Sequence, residues 1–290
     1  MKNYIKNLFK NFIKKYLYIF RVWDKFTPAV QIQQRHLLLY YKNCILENIP
    51  IKLADTGFKV FSQHEEDGLL LFIFAVLDIQ YKTFVDIGSN DGVNSNCANF
   101  AVNFGWHGVF IDGDKTAINR GIHFYKRYPD PWDHSPVFIC RNVTRENING
   151  IIQEAGFKGE IDLLSIDIDG NDYWIWDALE VVSPRVIIVE ANVELGYNNV
   201  IVPYNAAYSH LERHPVYHGA SPVAFNILAN KKGYKLVGAN NYGHNMIFVK
   251  KELGYNYLPE VTVESILQHF FTKESFQKFE TVKHLDFIRG

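Results

Sequence analysis

Nine residues, Phe84-Val85-Asp86-Ile87-Gly88-Ser89-Asn90-Asp91-Gly92, constrain the fold more than any other stretch of the chain. Phe84, Val85 and Ile87 form a short apolar run that reads as a buried strand, and it breaks abruptly into a glycine-bearing turn. Gly88 and Gly92 permit positive φ or close approach of another backbone, while Ser89, Asn90 and Asp91 are residue types that cap a following helix. A strand, glycine turn and helix in this order predict a doubly wound α/β sheet, whose ligands sit beyond the carboxyl ends of the strands. The spacing is G-x-x-x-G, without the G-x-G-x-x-G that wraps a dinucleotide pyrophosphate, so a pyrophosphate is not the favoured guest.

The run Val85-Asp86-Ile87-Gly88 followed by Gly92 resembles the first motif of class I S-adenosylmethionine-dependent methyltransferases. The likeness extends to Phe61-Ser62-Gln63-His64-Glu65-Glu66-Asp67-Gly68 before it, and to Ile161-Asp162-Leu163-Leu164-Ser165-Ile166-Asp167-Ile168-Asp169-Gly170 and Asn245-Met246-Ile247-Phe248-Val249 after it. These four segments, in this order, make residues 45–258 similar to the FkbM-like methyltransferases. The resemblance implies a Rossmann-like, seven-stranded, mostly parallel sheet with an antiparallel last strand, helices on both faces, and methyl transfer from S-adenosyl-L-methionine to an oxygen of a small molecule or glycan. It places Asp86, Gly88, Ser89, Asn90 and Gly92 around the methionine portion of the donor, with Gln63 reaching over that end. Asn142 and Val143, in the turn after the third strand, would lie near the adenine.

Asp112 ends a second apolar run about 20 residues past the glycine turn, where an acidic side chain can accept hydrogen bonds from both ribose hydroxyls. The same feature would serve NAD, so it marks an adenosine-type ligand more than a reaction.

The strand ending at Ile168 runs into Asp167, Asp169 and Asp172, and the next, through residues 185–192, ends in Glu190 and Asn192. Adjacent strand ends bring Asp167, Asp169, Glu190 and Asn192 together. Clustered carboxylates repel unless a cation, hydrogen bonds or solvent offsets them, and a hard divalent ion such as Mg2+ is one solution. The arrangement is similar to metal-dependent O-methyltransferases, where the ion lowers an acceptor hydroxyl's pKa. The other solution is that one aspartate anchors the substrate while the rest cap the next helix. Either a metal held at Asp167 and Glu190, or His218 from the aromatic- and histidine-rich residues 193–225, including His210, would remove the acceptor's proton. Two rival readings remain open: a glycosyltransferase using Asp167-Ile168-Asp169 as a metal-binding D-x-D, and a membrane-tethered binding module without catalysis.

The 290 residues divide into an expected helical extension (1–45), a catalytic domain (46–258) and a helical tail (259–290) with Val261, Val263, Ile266, Leu267 and Phe270 on one face. A hydrophobic fraction of 48% supports a substantial core. Residues 2–22 repeat Ile5, Leu8, Phe9, Phe12, Ile13, Tyr16, Leu17 and Phe20 at helical spacing. Residues 1–25 carry seven Lys or Arg against Asp24, a local +6 that leaves −7 elsewhere, so nucleic acid is not an expected partner. That basic helix suits either an anionic membrane surface or packing on the protein or an oligomer partner; vesicle binding with and without residues 1–25 separates them. Cys44, Cys97 and Cys140 lack metal or disulfide spacing, and no secretory signal is evident, so the expected location is the cytoplasm, peripheral to the membrane at most.

Overall fold

The computed structural model describes residues 28–127, 134–208 and 214–290. The amphipathic helix expected over 2–22, and His210, lie outside them. Seven strands form one sheet: β1 (Thr83–Ile87), β2 (His107–Asp112), β3 (Val137–Cys140), β4 (Gly159–Ile166), β5 (Val182–Glu190), β6 (Tyr234–Ala239) and β7 (Asn245–Lys250). Their order is β3-β2-β1-β4-β5-β7-β6, with β7 alone running against its neighbours. This is the mixed, Rossmann-like sheet expected from the sequence.

Each central strand is apolar on both faces, as a sheet covered by helices on both sides requires. Val85, Ile87, Val109, Ile111, Leu164 and Ile187 point into one layer. There they meet α5 (Ile148–Glu154), α6 (Asp172–Ala178) and α7 (Pro222–Lys231). The alternating residues Phe84, Phe110, Leu163, Val186 and Ile188 point into the other layer. That layer holds α1 (Pro28–Leu46), α2 (Glu66–Leu77), α3 (Ala98–Phe104) and the end of α4 (Lys115–Tyr125). Helix α1 crosses the lower end of this layer: Gln31 Nε2 donates to the Asn103 carbonyl, and Lys42 pairs with Asp78 at 2.5 Å. Among the described residues no helix is long and apolar enough to cross a membrane.

Two local expectations are corrected. Glycine turn and helix are not contiguous, because α3 begins only at Ala98; Asp91 instead accepts from the Val93 amide. Asp67, fully buried, accepts from the amides of Val60, Phe61 and Ser62 at 2.6–2.9 Å and thereby folds the preceding segment over the helix start. In the tail, α8 (Val263–Ile266) buries Val263, with Leu267 buried just beyond it, but Phe270, in α9 (Phe270–Ser275), is 65% exposed. The tail breaks into short helical pieces instead of one helix: Val261, Val263, Ile266 and Leu267 still pack against one core layer, and Phe270 does not.

Candidate active site

At the carboxyl end of β1 the amides of Gly88 and Ser89 both donate to the Ile111 carbonyl of β2. Gly88 has φ +84°, and a Cβ built there would lie 1.7 Å from the Asp167 carbonyl oxygen. Only glycine lets the β1 turn lie against the end of β4. Asn90 takes φ +51° and donates its amide to Asp112 Oδ2 at 2.8 Å, while Asp112 Oδ1 accepts from the Asp114 amide at 2.7 Å. The Asp112 carboxylate is thus fixed beside the turn at the end of β2, and each oxygen keeps a second lone pair for a ligand. Gly92 lies over the Phe110 ring, and its carbonyl accepts from the Tyr125 hydroxyl.

Between the ends of β1 and β4 is a cleft partly open to solvent. Four of the expected donor-binding residues, Gln63, Asp86, Gly88 and Ser89, line it together with Asp167. Asn90 and Asp112 stand beyond its β2 side, with Asn142 further along, where a Cβ on Gly113 would strike Asn142 Oδ1. Val143 is half-buried against the apolar layer beneath. Sequence reasoning missed Asn94, Ser95, Asn96, Ser165 and Asn245, which complete the lining. The polar run 94–96 was the available signal for the first three. Asn245 is visible only through the register that sets it opposite Glu190.

Asp86 forms the floor. It is 3% exposed and accepts from the Ser95 hydroxyl. Burial pushes its pKa up to about 7, against the lowering effect of the Ser95 and Ser165 hydroxyls. Between about pH 4 and 7 the folded protein therefore keeps a proton that the unfolded chain has lost, so this group reduces stability as pH rises through that window. Gln63 owes its place to two buried acids: Asp67 as above, and Glu66, which accepts from the His64 amide and from Asn240 and Asn245 side chains at 2.7–2.9 Å.

Asp167, Asp169 and Glu190 meet at the rim, with carboxylate oxygens within 4.8 Å of one another. Asp169 holds φ +63° and gives its carbonyl to the Tyr208 hydroxyl at 2.6 Å. Burial, then the charges of Glu190, Asp172 and Asp169, holds Asp167 well above the usual carboxylate range. Asp172 takes the structural part: its oxygens accept from the Ile168 and Gly170 amides at 2.7 and 2.8 Å. Asn192, expected as a fourth ligand, is also committed elsewhere. Its oxygen accepts from the Glu194 amide, and its nitrogen donates to the Val216 and His218 carbonyls at 2.9 and 3.0 Å. It pins the 216–218 segment to the end of β5.

A second cleft, of about 140 Å³, opens on the other side of the acidic rim. Glu190, Asn192, Glu194, His218 and His244 line it, so His218 does reach the site. His244 was not foreseen. Its ring is held below its ordinary pKa, chiefly by burial and then by the charge of His64, so it is neutral at pH 7.

No protein-family model matches the chain, and no curated protein matches it. Solved structures of S-adenosylmethionine-dependent methyltransferases do align with it. PKMT2 from Rickettsia typhi, in complex with AdoHcy, aligns at 11% identity over 68% of this chain and 55% of that one, with a TM-score of 0.43. An O-methyltransferase family protein from Burkholderia thailandensis aligns at 11% identity over 76% and 70%, TM-score 0.37. An S-adenosylmethionine-dependent methyltransferase from Clostridium acetobutylicum aligns at 8% identity over 59% and 84%, TM-score 0.36. The chain thus spans little more than half the Rickettsia protein. At these values the likeness transfers no substrate and no residue role.

Proposed function

We propose that the chain is an S-adenosylmethionine-dependent methyltransferase, with the donor in the first cleft and a hydroxyl-bearing acceptor, a small molecule or glycan, in the second. The observation that carries this reading is the position of the first cleft. Strand order reverses between β1 and β4, and the cleft is lined by the carboxyl ends of those two strands. Such a switch point is where open α/β sheets bind ligands. The flanking glycine turn lacks the pyrophosphate spacing, Asp86 on the floor suits an amino-acid ammonium, and Asp112 one strand over suits a ribose. The finer FkbM-like grouping rests on the four ordered motifs of the sequence.

The residues serve a reaction that consists largely of alignment. An in-line displacement at a sulfonium carbon needs donor and nucleophile held end to end, and removal of the nucleophile's proton adds to that. Glu190 borders the second cleft and sits beside Asp167 of the first, so the acceptor oxygen would meet the methyl group at this rim. His218 and His244 are the imidazoles within the acceptor cleft. A divalent cation is a second way to use the rim, since Asp167, Asp169 and Glu190 are hard oxygen ligands of suitable spacing. Turnover that survives exhaustive chelation unchanged removes the metal from the account.

Calorimetric titration with S-adenosylhomocysteine tests the donor site. Binding to the unaltered protein and a loss of about tenfold or more in Asp112→Ala are expected, from removal of a charge-assisted pair of hydrogen bonds. No binding to the unaltered protein rejects the reading.

Asp86 adds a second expectation. An ammonium placed beside it favours the ionised form, so binding near pH 7 should release a fraction of a proton. Titrations in buffers of different ionisation enthalpy measure that fraction. It should vanish in Asp86→Asn; a release that persists in that variant assigns the proton to another group.

A further inference from the structure

The loop from Gly88 to Asn96 needs a support that its own residues do not supply. Its two flanks, Gly88-Ser89 and Asn94-Ser95-Asn96, line the first cleft. A helix that opens directly from such a turn holds it in place, but here α3 begins only at Ala98. Asn90, on the outer part of the loop, has φ +51°, a left-handed conformation that asparagine tolerates better than most residues without preferring it. Its amide is the group that donates to Asp112 Oδ2, so a change in that conformation would turn the donor away from the carboxylate.

The support comes from α4. Arg120 Nη2 donates to Asn90 Oδ1 at 3.2 Å, and Arg120 Nε lies 3.5 Å from Asp91 Oδ2. The Asp91 carboxylate, 8% exposed, is thereby bracketed by the guanidinium on one oxygen and the Val93 amide on the other. Gly121 lets the helix lie against the loop backbone, since a Cβ there would come within 2.4 Å of the Asp91 carbonyl oxygen. One helical turn further on, the Tyr125 hydroxyl donates to the Gly92 carbonyl at 2.7 Å. Among these contacts it is Arg120 that reaches the Asn90 side chain, and its planar fork of donors can hold Asn90 and Asp91 together. The guanidinium is 42% exposed, and an ion pair so open to water contributes little to folding. Its effect on the shape of the loop is the larger one.

Resting on the methyl-transfer reading, we propose that Arg120 is a positioning residue of the donor site. By holding Asn90 and Asp91 it keeps the Asn90 amide on Asp112, and so keeps that carboxylate aimed at the ribose hydroxyls. The sugar end of the donor is then set by the helix that follows β2, through the loop that follows β1.

Calorimetric titration of the full-length protein with S-adenosylhomocysteine and with its 2′,3′-dideoxy counterpart tests this. Arg120→Met, which keeps the aliphatic stem, should weaken S-adenosylhomocysteine about tenfold, the worth of one hydrogen bond to a charged group, and should weaken the dideoxy compound much less. In the Asp112→Ala background the same substitution should cost nothing further, because its effect runs through the carboxylate already lost. Arg120→Lys, which returns the charge beside Asp91 and a donor for Asn90, should recover part of the affinity. The urea midpoint of Arg120→Met should match that of the unaltered protein. A loop that had merely loosened would weaken both compounds alike and add to the Asp112→Ala loss. Equal weakening of the two compounds, additive losses, no recovery with lysine, a lowered midpoint, or unchanged affinity in Arg120→Met each overturns the proposal. Failure of S-adenosylhomocysteine to bind the unaltered protein is a different result, and rejects the methyltransferase reading beneath it.

Discussion

Replacing Arg185 with leucine will cost the protein about 3–5 kcal/mol of stability, the range for breaking a buried ion pair from one side. Arg185 and Asp162 lie at the amino ends of β5 and β4, opposite the active-site rim, and their side chains are 6% and 0% exposed. The guanidinium donates to Asp162 at 2.9 Å and to the carbonyls of Leu77 and Asp78 at 2.6 Å, so it closes the open carboxyl end of α2. Asp162 in turn accepts from the amides of Tyr81 and Lys82, which lead into β1. Removal of the cation strands a fully buried carboxylate and frees two helix-end carbonyls. Urea denaturation should show the midpoint falling with little change in slope. The double variant Asp162→Leu, Arg185→Leu should cost less than the sum of the two singles, because it leaves no unpaired charge. A loss below about 1 kcal/mol in the single variant would mean that water reaches the pair and that it does not anchor the lower sheet.

The parts of this architecture that were legible in the sequence are those whose cause is local. Phe84, Val85 and Ile87 alternate between two helical layers, and a run apolar at both parities already signals a doubly covered strand. Gly88 was legible as a backbone constraint. What it accommodates, the Asp167 carbonyl, was not, because that contact spans three strand crossovers. The acidic rim was legible as three residues on two strand ends, and Asp167, Asp169 and Glu190 do converge. Asn192 has a side chain that suits a ligand equally well as a cap, and only the return of residues 216–218 shows what its amide nitrogen holds. Glu66 shows the same limit: its partners Asn240 and Asn245 lie on the far side of the sequence, and no periodicity reports them. The tail failed for another reason. Val261, Val263, Ile266, Leu267 and Phe270 have helical spacing, but the chain turns within that interval, so Leu267 is buried and Phe270 is not.

Gly88→Ala should lower affinity for S-adenosylhomocysteine by more than about 100-fold, a change worth about 2.7 kcal/mol. The added methyl has two costs. At φ +84° an alanine is strained by about 1–3 kcal/mol, and its Cβ would lie 1.7 Å from the Asp167 carbonyl oxygen and 2.5 Å from its carbon. Neither neighbour is the end of a flexible side chain, so β1 and β4 must move apart at the rim. That movement would withdraw Gly88 and Ser89 from the Ile111 carbonyl, and tilt Asp86 and Asp167 on the two walls of the first cleft. Stability should fall as well, which makes the comparison with an innocuous glycine necessary. Gly150 sits within α5, where an added methyl group would meet nothing within 4 Å, and Gly150→Ala should gain about 0.4–1 kcal/mol while binding stays unchanged. If Gly88→Ala folds and binds the donor analogue normally, the closeness of β1 to β4 has no part in forming the donor cleft, and the ligand must be sought elsewhere on the sheet.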